Sequence, residues 1–367
     1  MIYLDNAATT LIKPISVQRA VDEAMRSMAS PGRGGHRPAM LAAETVFECR
    51  SAAAELFDLE EPERVVFTMN ATHALNIAIN SLAEKGTKTL ISGFEHNSVT
   101  RPLTAIGADV TVAGRRLFDS GALLEDFEKQ IPRVKLVVCT YVSNVFGYVL
   151  PIYEIAELCR RHGVPLIVDA SQAAGVLDVD MERLGAAFIA MPGHKALFGP
   201  QGTGILLCGQ TGRPLMHGGS GSDSVPQHMP DYLPDRLEAG THNVCGIAGL
   251  LAGIEYVKSR TTGSILRHEQ SLLKLMCREL EGSELELFTG PEGSQCGVLS
   301  LRRPGMDCET LAEKLGERDI CVRSGMHCAP TAHESAGTLK TGTVRFSFSP
   351  FVDETQVKTA CAVLREI

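Results

Sequence analysis

Tryptophan is absent from the 367 residues, and nothing about fold or function follows from that. The absence of a long hydrophobic run says more. The longest, "CGIAGLLAGI" from Cys245, is about half of what a spanning helix needs, so no membrane segment is expected. The opening "MIYLDNAATT" lacks a basic stretch and a cleavage-like site, which argues against a secretory signal and predicts a cytoplasmic location. Positive charge is not in excess either. Thirty-five Lys and Arg against 43 Asp and Glu give a formal charge of -8 with no basic stripe, so nucleic acid is not an expected partner; small molecules and proteins are. Among 11 cysteines there is no CxxC pair, and they lie in apolar segments such as "KLVVCTYV" and "IAELCRRHG". That excludes a disulfide framework and a structural zinc site, predicts no metal, and makes most of them core residues of a reducing compartment. No internal repeat or low-complexity tract is found.

What is present is a chain with 44% hydrophobic residues and 35 glycines, enough for one large domain with a smaller one attached. In "SVQRAVDEAMRSMA" the residues Val17, Ala20, Val21, Ala24, Met25 and Met28 share a helical face, with Pro14 before it and Ser16 as the expected cap. Short apolar runs then alternate with helical patterns: "RVVFTM" before "ATHALNIAINSLAEKG", "VKLVVCTYV" before "PIYEIAELCRRHG", "PLIVDAS" before the next connection. The rhythm is that of βα units on a mostly parallel sheet. A Gly, Pro and Ser-rich stretch from His217 to Asp235 interrupts it as an expected exposed loop. Beyond a long buried helix in "GTHNVCGIAGLLAGIEYVKSR" the pattern becomes α+β, which puts the domain boundary near residue 247.

In an open parallel sheet, ligands sit at the carboxyl ends of the strands, so the first polar residues after each run are the candidates. After "RVVFTM", the residues Ala71, Thr72 and His73 open a helix whose free amides and Thr72 hydroxyl can hold a phosphate; plain capping by Asn70 or Thr72 explains them as well. After "PLIV" comes Asp169, with Gln172 one turn on, as a cation partner or a cap. Ser143 and Asn144, ahead of Gly147, suit a ligand or a turn. Lys195 stands out. In "AMPGHKALFGPQGTG" it follows His194 between apolar runs and among glycines, where a lysine with a lowered pKa can form a Schiff base with an aldehyde cofactor. Lysine for an aldehyde, Asp169 for a pyridinium nitrogen and a helix start for a phosphate suggest pyridoxal 5'-phosphate.

The segments "YLDNAATT", "EHNSV", "VDASQ", "GHKALFGPQGTG", "RLEAGTHN" and "RSGMHCA", in that order, resemble the NifS-like cysteine desulfurases of the class V aminotransferase superfamily, over nearly the full chain. The last of them is similar to the SufS-like group, which includes selenocysteine lyases. The resemblance implies the pyridoxal-phosphate-dependent transferase fold type I: a large domain, 15–247, with a mostly parallel seven-stranded sheet flanked by helices, and a smaller α+β domain from 1–14 and 248–367. It implies that Lys195 holds the cofactor aldehyde, Asp169 keeps the ring nitrogen protonated, and His96 stacks on the ring and assists proton transfers. Asn144 and Gln172 match partners of the phenolic oxygen, and Thr72 and His194 match phosphate ligands. Thr241 matches a phosphate ligand from the other subunit, so a homodimer is implied. Arg345 matches the arginine that binds the substrate carboxylate, a task suited to its planar fork.

Cys328 aligns with the cysteine that takes sulfur from L-cysteine as a persulfide and passes it to an acceptor protein. His327 and Arg323 are expected to favour its thiolate. Selenocysteine lyase, another class V aminotransferase, and a sulfur-relay or scaffold protein are the alternatives. Two departures stand out: Pro192 sits before "GHK" where relatives commonly carry Ser or Thr, and "APTAHESAGTLKTG" after Cys328 is unlike the best-known SufS-like enzymes.

Overall fold

A computed structural model describes every residue except Arg33 and Asp223. The expected loop from His217 to Asp235 is without helix or strand in its described residues; Asp223 lies outside them.

The chain begins with a two-residue strand β1 (Ile2–Tyr3), then helices α1 (Ile15–Ser27) and α2 (Arg37–Leu56). Strand and helix then alternate: β2 (Val65–Thr68), α3 (Ala71–Leu82), β3 (Lys88–Ser92), α4 (Asn97–Ile106), β4 (Asp109–Ala113), α5 (Ser120–Gln130), β5 (Leu136–Thr140), α6 (Ile152–His162), β6 (Leu166–Asp169), α7 (Met181–Leu184), β7 (Phe188–Pro192) and β8 (Gly204–Cys208). These seven strands build one sheet in the order β2-β8-β7-β6-β5-β3-β4, in which β8 is antiparallel to both neighbours and the rest run parallel. Strands β2, β5, β6, β7 and β8 are buried at every position, as strands covered on both faces must be, which is why they read as unbroken apolar runs.

Helices α8 (Val244–Arg260) and α9 (Thr262–Glu279) lead out of this layer, and α8 packs on α1 and α2. Residue 247 falls inside α8. Then follow β9 (Glu286–Phe288), β10 (Val298–Arg302), α10 (Cys308–Gly316), β11 (Ile320–Cys321), β12 (Arg323–Gly325), α11 (Pro330–Ser335), β13 (Thr343–Ser347) and α12 (Glu354–Glu366). Four of these strands form an antiparallel sheet, β12-β13-β10-β9, while β11 pairs with β1. A separate apolar core lies here, with Leu299, Leu301, Phe346 and Leu272, and Leu4 from the start of the chain joins it.

The α1 expectation needs correcting at two places. Its cap position is Pro14, without a side-chain cap, so Ser16 lies inside the helix and does not cap it. Met25 is exposed, because 100° per residue puts it at the rim of a stripe centred on Val17 and Ala24, which are buried. Among the described residues no helix is long and apolar enough to cross a membrane.

Candidate active site

The carboxyl ends of β3, β5, β6 and β7 converge on a cavity of about 210 Å³, lined by Ala71, Thr72, His96, Asn144, Asp169, Gln172, His194, Lys195, Arg323 and Arg345. Ten of the thirteen residues singled out in the sequence therefore meet in one place. The remaining three are His73 and Thr241, which line a different cavity of about 200 Å³ with Met69, Met216 and His242, and Cys328, which is exposed at the end of the loop after β12.

Both readings of the α3 start hold together. Asn70 Oδ1 caps the helix by accepting from His73 N–H at 2.9 Å, and that leaves the Ala71 and Thr72 amides without an acceptor among the described residues. His73 contributes its amide to the cap, and its ring accepts from Met69 N–H. Asp169, at the end of β6 and buried, accepts from Ser171 N–H at 2.9 Å through Oδ1. Its second oxygen has no protein partner among the described residues.

Lys195 sits in the turn after β7. His194 O accepts from Thr10 N–H and from the Thr9 and Thr10 hydroxyls, so the start of the chain pins this turn. No protein atom among the described residues hydrogen-bonds Lys195 Nζ. Burial lowers its pKa to about 8, with Asp169 pulling it up and Arg345 and Arg323 pushing it down. Burial likewise takes His194 to about 4, and its Nδ1 lies 3.0 Å from the Thr9 hydroxyl.

His96 caps α4 with its own ring: Nδ1 accepts from Ser98 N–H at 3.0 Å. Burial first, then Lys195, Arg323 and Arg101, hold it at about 4 against the pull of Asp169, so the imidazole is neutral at physiological pH. Asn144 donates one Nδ2 hydrogen to His327 O at 2.7 Å and has a buried, unpartnered Oδ1; Gln172 donates to Ala7 O at 3.0 Å. Each amide nitrogen keeps a second hydrogen for a ligand.

Arg345 on β13 and Arg323 on β12 are register partners, so two guanidinium groups lie side by side at one end of the cavity. Arg345, almost fully buried, donates from Nη2 to Asp5 Oδ1 at 2.7 Å and from Nη1 to Asn144 O at 2.9 Å, while its Nε has no partner among the described residues.

Cys328 is the exposed one of the eleven cysteines; seven of the others are buried. Burial pushes thiols such as Cys159 and Cys361 up to about 12, which leaves them inert. Arg323 Nη2 lies 3.8 Å from the Cys328 sulfur, and Asn97 N–H holds the Cys328 carbonyl at 2.8 Å. Both His327 (φ 47°) and Cys328 (φ 57°) adopt left-handed backbone, a strain that such clamps maintain. The expected help from His327 is corrected: its ring is buried, its pKa lies well below the usual value, and Nε2 donates to Thr343 O at 3.1 Å. It anchors the loop and supplies no positive charge; Arg323 does.

The family model for aminotransferase class-V matches residues 2–359. The chain belongs to the aminotransferase class-V family. Among class-V proteins it is 34% identical to a "probable cysteine desulfurase" of Pyrococcus abyssi, over 100% of this chain and 94% of that one. It is also 34% identical to a "probable cysteine desulfurase" of Haemophilus influenzae, over 98% of this chain and 84% of the other. The apo structure of the cysteine desulfurase from Thermococcus onnurineus NA1 superposes with a TM-score of 0.91 at 33% identity, covering 100% of this chain and 94% of that one. The class-V fold is thus complete here, with the mostly parallel seven-stranded sheet expected from the sequence.

Three signals were missed. Asp5, Ser98 and Glu95 all stand inside the quoted motifs, yet only contacts reveal them. Glu95 is fully buried, its carboxyl raised to about 8 by burial, and it accepts from Thr140 N–H at 2.9 Å behind the cavity.

Proposed function

We propose that this chain is a cysteine desulfurase that uses pyridoxal 5'-phosphate to take sulfur from L-cysteine, leaving L-alanine and a persulfide on Cys328 for a protein acceptor. The observation that carries the reading is Lys195, without a hydrogen-bond partner among the described residues, with Asp169 in one cavity, and the single exposed cysteine under Arg323.

The residues fit the cofactor. Two free amides at the start of α3, the Thr72 hydroxyl and His194 suit a phosphate, the unpartnered Asp169 oxygen suits a ring nitrogen, and the spare hydrogens of Asn144 and Gln172 suit a phenolic oxygen. Bound there, pyridoxal 5'-phosphate supplies an electron-withdrawing ring that stabilises charge on the substrate's α carbon. Lys195, with a pKa of about 8, is available as a neutral amine to accept the α proton. His96, neutral with its proton on Nε2, lines the same cavity and would offer that proton beside the ring. Arg345 and Arg323 receive the substrate carboxylate, with the one spare Asn144 hydrogen shared between that carboxylate and the phenolic oxygen. The Cys328 thiolate, favoured by Arg323, attacks the substrate sulfur: an S–S bond forms, the substrate C–S bond breaks with its electron pair staying on the organic fragment, and that fragment gains a proton and leaves as alanine.

Thr241 serves a second copy of the chain. Its distance from Lys195 within one chain is explained by a homodimer whose interface covers the cavity with Thr241, His73 and the exposed Met69 and Met216. We place the protein in the cytoplasm, where its reactive thiol stays reduced.

The test is release of alanine and sulfide from L-cysteine with a reductant, beside Cys328→Ser. Equal amounts of both, lost in a variant that still binds pyridoxal 5'-phosphate, are expected. Retained turnover by Cys328→Ser would overturn the role of the cysteine, and Lys195→Ala should abolish turnover.

A further inference from the structure

The first turn of α4 carries a chain of hydroxyls whose direction can be read from one fixed donor. Ser98 N–H lies 3.0 Å from His96 Nδ1, and an amide N–H only donates, so Nδ1 is an acceptor and the ring proton is on Nε2. Ser98 Oγ stands 2.9 Å from the same nitrogen and, facing a lone pair, must donate as well. With its proton spent, Ser98 Oγ meets Thr72 Oγ1 at 2.7 Å as the acceptor. The order is therefore Thr72 to Ser98 to His96. All three line the Lys195 cavity, and Ser98 is 8% exposed. One consequence is chemical: Thr72 gives its proton to Ser98, and must turn that proton away from Ser98 to serve a phosphate at the free amides of α3.

We propose that Ser98 is a positioning residue coupling the two ends of the cavity: it fixes His96 in the Nε2–H form and competes with a bound phosphate for the Thr72 hydroxyl proton. The inference rests on reading the cavity as a pyridoxal-phosphate site. When a phosphate oxygen takes the Thr72 proton, Ser98 loses its donor and becomes a weaker donor to His96, since hydrogen bonds in a chain strengthen one another. Phosphate occupancy and His96 basicity are then linked, and the linkage is reciprocal. The charged groups facing His96 are Asp169, Lys195, Arg323 and Arg101, and they set the baseline on which Ser98 acts.

The experiment compares wild type, Ser98→Ala and Ser98→Thr by nitrogen-15 NMR of the histidine rings in cofactor-free protein and by titration with pyridoxal 5'-phosphate. Loss of one neutral hydrogen bond to the neutral ring should raise the His96 pKa in Ser98→Ala by roughly 0.7 units. The same variant should bind the cofactor about threefold to fivefold more tightly, because the Thr72 proton is no longer held elsewhere. Ser98→Thr, which keeps hydroxyl and amide, restores both. Inorganic phosphate should move the His96 signal in wild type and move it less in Ser98→Ala. Weaker cofactor binding by a Ser98→Ala protein of unchanged melting temperature, or an unchanged His96 titration, overturns the proposal. Wild type that binds no pyridoxal 5'-phosphate sinks the functional reading instead, and the His96 titration still decides the hydroxyl chain.

Discussion

Arg345 already has a partner on each Nη, Asp5 on one and Asn144 O on the other, and each Nη keeps a second hydrogen. A carboxylate arriving at the free Nε must share this arginine with Asp5. Replacing Asp5 by Asn removes the competing charge and leaves Arg345 buried without a counter-ion, a cost of about 3 kcal/mol and a melting temperature lower by on the order of 5 °C. A bound amino acid then supplies the missing charge. Calorimetry of Asp5→Asn with and without L-alanine should show a larger ligand-induced rise than wild type; an equal rise would mean that Asp5 does not compete. Lys195 and Asp169 were legible in the sequence because polar residues at the ends of apolar runs have few structural reasons to be there. Asp5 was not, because its partner lies 340 residues away. His327 misled for a related reason: adjacency to Cys328 in sequence says nothing about burial, and burial decides whether a histidine carries charge.

Among the elements, the alternation of strands and helices was legible because a sheet covered on both faces writes itself as uninterrupted apolar runs. Two-residue β1 was not, because a strand so short has no period and exists only through its pairing with β11. The close approach of α8 to the turn after Lys195 was invisible too. A Cβ on Gly253 would stand 2.1 Å from Leu197 O, and one on Gly249 would stand 2.7 Å from the Pro200 ring. Helix propensity favours alanine at such a site by about 1 kcal/mol, but overpacking costs about 1–3 kcal/mol and the atom met is backbone that cannot swing away. Gly253→Ala is therefore expected to lower the melting temperature and to weaken pyridoxal 5'-phosphate binding together, by pushing the turn that carries Lys195. Weakened stability with unchanged cofactor affinity would show that the turn is held without α8.

At the scale of the whole molecule, four histidines are held below the range of a free imidazole. His96, His194 and His333 are each held near 4 by burial, and burial also takes His327 well below the 6.5 of a free imidazole. Between pH 6.5 and 4.5 the unfolded chain binds more protons at these four, so stability present above 6.5 is lost as pH falls. Glu95 and Glu269, whose pKa values are raised by burial, pull the other way over part of that window, and the four histidines outnumber them. Cofactor-free protein should melt at progressively lower temperature from pH 6.5 to 4.5 by scanning calorimetry; a flat or rising profile would show that the histidines find protons in the folded state. The first ten residues give a further consequence. Within that span the chain reaches β11 through Ile2 and Tyr3, Arg345 through Asp5, Gln172 through Ala7 and His194 through Thr10. On the ribosome this segment emerges more than 300 residues ahead of its last partner. At ordinary elongation rates it waits tens of seconds, roughly, for somewhere to bind. Its motif is thus made long before it is given meaning, so the lysine turn and Arg345 are locked in one late event, and a nascent chain stalled anywhere before residue 345 carries an unfinished site.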